Sequence, residues 1–243
     1  MGIEVDKMSS YNDLKKTINF LKKKDKILLL TTSNRWEGSK DIPKSTQLAK
    51  YIEEELKKLN KKVNLIDVTK LKIYPCEGNV SDSRGNNCGV LKAQLKDKSK
   101  NPTGYHRCWA SFNNKDDELW RISKLLFESD VVLFFGSVRW GQMNSFYQKL
   151  IERLTWIENR HSTLKESNII KSISAGLICV GQNWNESNII KTQRQVLSFF
   201  GFKTPKQLFW YWQYTKNAND ESKASYHKAP EKFSKDFKLN VLN

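Results

Sequence analysis

Two loops of this 243-residue chain hold the side chains from which chemistry can be built. The first, 33–46, carries Ser33, Arg35, Ser45 and Thr46, the last two at the start of a helical stretch. Hydroxyls and a guanidinium beside free backbone N–H groups, at the positive end of a helix dipole, suit a single phosphate. The competing role for Ser45 and Thr46 is to cap that helix. There is no G-x-x-x-x-G-K-[ST] and no G-x-G-x-x-G here, so neither the P-loop nor the dinucleotide fingerprint applies. The second loop, 137–144, is polar and aromatic and follows the apolar run Val131-Val132-Leu133-Phe134-Phe135. In open α/β sheets ligands lie in the crevice outside such strand ends.

A third group is weaker. Cys76, Cys88, His106 and Cys108 have the inventory of a zinc site, but their spacing matches no zinc pattern, and we expect no metal. Four scattered cysteines are too few for a disulfide framework in a chain of this size and are read as reduced thiols.

The elements that must position these residues follow from periodicity. Short apolar runs predict strands at 26–32, 62–67, 131–135, 172–180 and 207–213, the third breaking at Gly136. Helical stripes separate them: Leu48, Ile52, Leu56 and Leu59; Leu119, Ile122 and Leu126; Tyr147, Leu150, Ile151, Leu154 and Ile157; and Ile190, Leu197 and Phe200. Asn183 with Glu186 is expected to form a capping box, and Gly201 to end the helix it opens. Leu14, Ile18 and Leu21 form an amphipathic helix expected to cover a sheet edge. Strands alternating with helices predict an α/β domain with a five-stranded parallel sheet in the order 2-1-3-4-5 and helices on both faces. In that order the loops 33–46 and 137–144 converge at the switch point between the first and third strands. The expected organisation is an N-terminal helical extension (1–25), a ligand-binding domain (26–215) with a long insertion at 74–114, and a loosely packed tail (216–243) with at most a short helix.

The formal charge of +16 raises the question of a nucleic-acid partner. Most lysines are spread along helical stretches, however, with no RNP, zinc-finger or helix-turn-helix signature beside them, so a solvated surface is favoured. No apolar run approaches the roughly 20 residues of a membrane helix, and the start, MGIEVDKMSS, lacks the apolar core of a secretory signal. A cytoplasmic protein is the expectation.

SVRWGQMNSFYQKLIERL resembles the P-x-Y-W-G-x-M-S-x-x-x-K-x-x-I-D-R pattern of flavodoxin-like NAD(P)H-dependent FMN reductases. TTSNR followed by KSTQLAKYIEEEL is similar to that family's S-x-R and its Ser/Asn-Thr pair, and LICVGQNWNE and Gly201-Phe202 fall where the family has its later motifs. The likeness covers about residues 26–213. It implies a flavodoxin-like fold with FMN as cofactor and NADH or NADPH as co-substrate. Ser33, Arg35, Ser45 and Thr46 would hold the phosphate. Val138, Trp140, Gly141, Met143 and Asn144 would border the isoalloxazine, with Gly181 and Gln182 closing its other side. Ser137 and Arg139 stand in the same loop where the family has Pro and Tyr, and Gln148 where it has Lys. Arg139 would then stabilise an anionic reduced flavin, meet an acidic substrate, or form a surface ion pair. Some relatives hold an iron–sulfur cluster after the second strand, but Asn79 stands where a second cysteine is needed.

The hydride chemistry would belong to the flavin, so no catalytic residue is expected. The resemblance implies an oxidoreductase passing electrons to a small acceptor such as a quinone or free flavin, working as a homodimer or homotetramer with the insertion as a candidate interface. Two alternatives remain at this point: an FMN-binding electron carrier or cofactor-free module of the same fold, and a basic nucleic-acid-binding protein.

Overall fold

In a computed structural model, residues 9–181, 184–215 and 222–237 of the chain are described. The leading helix α1 (Ser9–Leu21) is followed by β1 (Lys26–Thr31), α2 (Lys44–Lys57) and β2 (Lys62–Asp67). An insertion then carries the short α3 (Trp109–Asn113) before α4 (Leu119–Leu126). The second half runs through β3 (Val131–Arg139), β4 (Gln142–Met143), α5 (Ser145–Ser162), β5 (Ser174–Gly181), α6 (Glu186–Phe199), β6 (Phe209–Gln213) and α7 (Lys223–Phe237). No helix among the described residues is long and apolar enough to cross a membrane.

The central sheet has the order β2-β1-β3-β5-β6, all parallel, with helices on both faces. Counted among the parallel strands this is the expected order 2-1-3-4-5. The middle strands are apolar on both faces: Ile27, Leu28, Leu29 and Leu30 are fully buried, as are Val131 to Phe135 opposite them. A strand covered on both sides has no solvated face and so shows no alternation of polar and apolar residues. Glycine permits two close approaches within this core. At Gly176 a Cβ would lie 2.3 Å from Leu208 Cβ, and at Gly136 one would lie 2.3 Å from Met143 Cε.

Gly136 therefore does not end its strand. β3 continues to Arg139 and pairs with β4 as a hairpin, Val138 opposite Met143 and Arg139 opposite Gln142. Trp140 and Gly141 form its two-residue turn, both left-handed, at φ 49° and 68°. Two positive φ values match the twist of an antiparallel pair, which is why such turns select glycine; a tryptophan there is uncommon.

Two further expectations change, and α1 covers the β6 edge of the sheet as expected. The C-terminal segment is not a loose tail: Ala229, Phe233 and Phe237 of α7 are buried. Trp212 meets Phe233 edge-on at 5.2 Å and donates its indole N–H to Asp236 at 2.9 Å. α1 packs against β6 and α7, with Trp210 donating to the Thr17 hydroxyl, which in turn donates to the Gln207 carbonyl. Finally, α6 begins at Glu186 behind a left-handed Asn185 that makes no side-chain cap bond. Asn183, the expected cap, lies outside the described residues.

The insertion is ordered by polar contacts with α5. Arg153, fully buried, donates to both carboxylate oxygens of Asp117 at 2.8 and 3.0 Å, to the Ser111 hydroxyl and to the Tyr74 carbonyl. Burial pushes the Asp117 carboxyl up, but its bond and attraction to Arg153 leave it below the ordinary value. Asn159 holds the Cys88 carbonyl at 2.7 Å, and Arg160 pairs with Glu166. The four zinc-like residues are not gathered into a site. Among the described residues no group of three or more His, Cys, Asp or Glu is placed to hold a metal; His106 instead bonds Ser123 and lies against Trp156.

Burial, with Arg153 nearby, holds the His106 imidazole down to about 3. The unfolded chain takes up this proton near 6.5, the folded chain only near 3. Stability due to His106 is thus complete above pH 6.5 and is lost as pH falls toward 3, by about 1.4 kcal/mol per unit within that window. Urea unfolding at pH 6.5 and at about 4.5, in the native chain and in His106→Phe, measures it. The variant should lose most of the slope; an unchanged slope assigns the titration elsewhere.

Candidate functional site

The carboxyl ends of β1, β3 and β5 open into a cleft of about 500 Å³. Its first end is built by the loop after β1. Ser33 is buried at the strand end, and Ser45 in the first turn of α2 donates to it at 2.8 Å. Neither Ser45 nor Thr46 caps α2; the cap position is Pro43, which offers no side-chain acceptor to the first turn. The Thr46 hydroxyl is buried without a hydrogen-bond partner. An uncapped helix start with an orphan hydroxyl leaves donors of the kind an anionic oxygen satisfies. Arg35 and Lys44 line the same end, with Asp41 the one carboxylate among the described lining residues. Burial, with Arg35 nearby, lowers the Lys44 ammonium, and Asp41 opposes the shift.

The floor is the β3–β4 hairpin and the end of β5. Ser137, Val138, Arg139 and Trp140 line the cleft, Trp140 with 87% of its surface exposed at the turn. Trp184 packs on the turn, within 3.3 Å of where a Gly141 Cβ would stand, and Asn185 donates to the Gly141 carbonyl at 2.8 Å. These contacts hold a left-handed tryptophan whose conformation costs about 1–3 kcal/mol. Gly181 brings β5 close to Val138: a Cβ there would lie 2.8 Å from Val138 Cβ and 3.3 Å from Glu186 Oε1. That buried Glu186 oxygen has no partner, and burial raises its carboxyl despite backbone N–H groups that favour the charge.

Of the residues expected from sequence, the cleft gathers Ser33, Arg35, Ser45, Ser137, Val138, Arg139, Trp140 and Gly181. Thr46, Gly141, Met143 and Asn144 stand behind it. Asn144 caps α5 by accepting from the Tyr147 N–H, and its amide donates to Thr32 at 3.1 Å, tying β1 to the hairpin. Met143 is buried, with its Sδ 3.8 Å from Cys179 Sγ. Gln182 lies outside the described residues.

With the sheet order and the cleft at its switch point established, comparison with known proteins has a frame. No protein-family model and no curated protein matches the sequence. Among solved structures, RosB bound to the intermediate 8-demethyl-8-formylriboflavin-5′-phosphate aligns over 89% of this chain and 77% of its own, at 16% identity and a TM-score of 0.57. The fold is flavodoxin-like. Azoreductase from Bacillus anthracis str. Sterne aligns over 88% of this chain and 99% of its own, at 13% identity and a TM-score of 0.48. Azoreductase AzrA aligns over 87% and 95%, at 14% identity and a TM-score of 0.49. At such identities the likeness is one of fold.

Sequence reasoning missed the second wall of this flavodoxin-like cleft. Tyr214, just past β6, and Tyr226, His227 and Pro230 of α7 line it. Burial, with Tyr226 nearby, pushes the Tyr214 phenol up to about 12, while Arg139 and Arg35 pull it back. Both arginines therefore act on one side chain of the cleft. Among the described residues neither forms an ion pair. The surface ion pair considered for Arg139 is absent from that set. The signal for this wall was the aromatic pair Tyr214 and Tyr226, which carries no meaning until α7 folds back onto β6.

Proposed function

We propose that this chain is an FMN-dependent NAD(P)H oxidoreductase that passes electrons to a small acceptor such as a quinone or free flavin. The observation that carries this reading is the uncapped start of α2 with the Ser33–Ser45 hydroxyl pair, set in one cleft with the Trp140 hairpin, and the orphan Thr46 hydroxyl buried in the same helix turn behind it. A phosphate monoester wants those donors, and a flat ring wants the aromatic wall beyond them. That RosB, a protein of the same fold, holds a riboflavin 5′-phosphate derivative supports a flavin monophosphate as the ligand.

In this reading Ser33, Arg35, Ser45 and Thr46 hold the phosphate. Ser137 to Asn144 position the ring through their backbone groups and the Trp140 side chain, and Gly181 with Gln182 closes its far side. Bound flavin supplies the hydride acceptor and donor, so this chain's work is to bind, orient and shield. The two-electron reduction of a quinone consumes a hydride from NAD(P)H and one proton from solvent.

An absorption spectrum tests it. Purified protein loaded with FMN should absorb near about 450 nm and bleach anaerobically on adding NADH or NADPH. A chain that retains no FMN overturns the proposal. Retained flavin that stays oxidised with both nucleotides overturns the enzymatic part and leaves an electron carrier.

A further inference from the structure

In the flavin reading a single phosphate takes the end of the cleft where Arg35 and Lys44 stand. The far end carries charge that this ligand does not use. Arg139 is the last residue of β3, exposed beside the Trp140 turn. Lining the same cleft from α7 are Tyr226 and His227, outside the span of the family resemblance. Trp140 on one side and Tyr226, which neighbours Tyr214 at 6.0 Å, on the other give two aromatic surfaces. The one acid among the described lining residues, Asp41, belongs to the phosphate end. α7 is fixed in this position by Phe233 and Phe237 on Trp212 and by Lys232, which donates to the Gln213 carbonyl at 3.0 Å.

We propose that this end is an acceptor subsite for a planar aromatic anion, with Arg139 meeting the acceptor's carboxylate or sulfonate and α7 supplying the facing wall through Tyr226 and His227. The proposal rests on the flavin reading above and names the class of acceptor. Arg139 forms no ion pair among the described residues, and a guanidinium so placed can bind a planar anionic group in two-pronged fashion. Flanking rings add stacking, while the exposed position of Arg139 leaves the ion pair screened by water and the expected discrimination modest. The anion itself takes no part in electron transfer: the quinone ring accepts two electrons and two protons while the sulfonate stays intact.

The test uses the FMN-loaded full chain with a naphthoquinone sulfonate and its parent naphthoquinone as matched acceptors. The native chain should favour the sulfonate in kcat/KM. Arg139→Gln should lower the sulfonate-to-parent ratio about fivefold, whatever it does to the rate common to both, and Tyr226→Ala with His227→Gln should lower it further. An unchanged ratio in Arg139→Gln overturns the proposal. So does a variant that alters the NADPH-to-NADH ratio instead, because the anion met would then be the nucleotide's 2′-phosphate. If the chain holds no FMN, the flavin reading fails separately, and the same two quinones titrated against intrinsic tryptophan fluorescence still decide the subsite. Tighter sulfonate binding by the native chain than by Arg139→Gln supports it; equal binding overturns it.

Discussion

Replacing Ser45 and Thr46 together by Ala should weaken FMN binding about 100-fold, measured by quenching of flavin fluorescence on titration with the chain. Each hydroxyl bonded to a phosphate oxygen contributes about 1.5–3 kcal/mol, and two losses at the lower end give roughly 3 kcal/mol, or a factor near 100. The helix N–H groups and Arg35 remain, so binding should be weakened but not abolished. Stability separates this from a capping role. Among the described residues the Thr46 hydroxyl has no partner and the Ser45 hydroxyl bonds Ser33, so the FMN-free variant should lose about 1 kcal/mol or less. A variant that keeps its FMN affinity while losing about 1–2 kcal/mol of stability would instead behave as a lost helix cap, and the phosphate placement would be wrong.

The second large effect lies away from the cleft. Arg153→Leu should destabilise the fold by about 3–5 kcal/mol, because it strands the Asp117 carboxylate in a fully buried position. The guanidinium also holds Ser111 and the Tyr74 carbonyl, so its loss frees the insertion at both ends. Replacing both partners, Arg153→Met with Asp117→Leu, should recover much of the loss, since two apolar groups leave no unpaired charge. Urea unfolding of the single and double variants measures the difference. A loss below about 1 kcal/mol in Arg153→Leu would mean that water reaches Asp117 and the pair is not the fastening described.

This network also shows why part of the fold was hidden from sequence. The parallel strands were legible because Ile27 to Leu30 and Val131 to Phe135 are short runs apolar on both faces, too short for a buried helix and, in the second, rich in β-branched and aromatic residues. The insertion was not, because its packing against α5 is carried by Arg153, Asn159 and Arg160, and polar side chains buried in a network have no hydrophobic period to read. α7 was obscured by Pro230 and by its charge. Its buried stripe is only Ala229, Phe233 and Phe237, spaced four apart, and finds its partner in Trp212. The hairpin at Trp140 was hidden because a tryptophan at positive φ follows from the contacts of Trp184 and Asn185, which no local pattern encodes.

The same distances in sequence explain the candidate site. Ser33, Ser45 and the Ser137–Gly141 loop sit at the ends of adjacent parallel strands, so topology alone brings them together. The Asn144 side chain is spent on Thr32 and on the start of α5, which leaves its backbone for the ring in the proposed reading. Tyr226 and His227 reach the cleft only through the docking of α7 on β6.

That docking sets an order of assembly. The bond from Trp210 to Thr17 spans 193 positions of sequence, so α1 can close on β6 only once the strands between them have been made, whereas α7 follows β6 directly in the chain. During synthesis the anion-binding end can form while the opposite wall is still being made. In the flavin reading cofactor capture can thus precede closure, and the wall proposed to meet the acceptor is the last part of the site to be made.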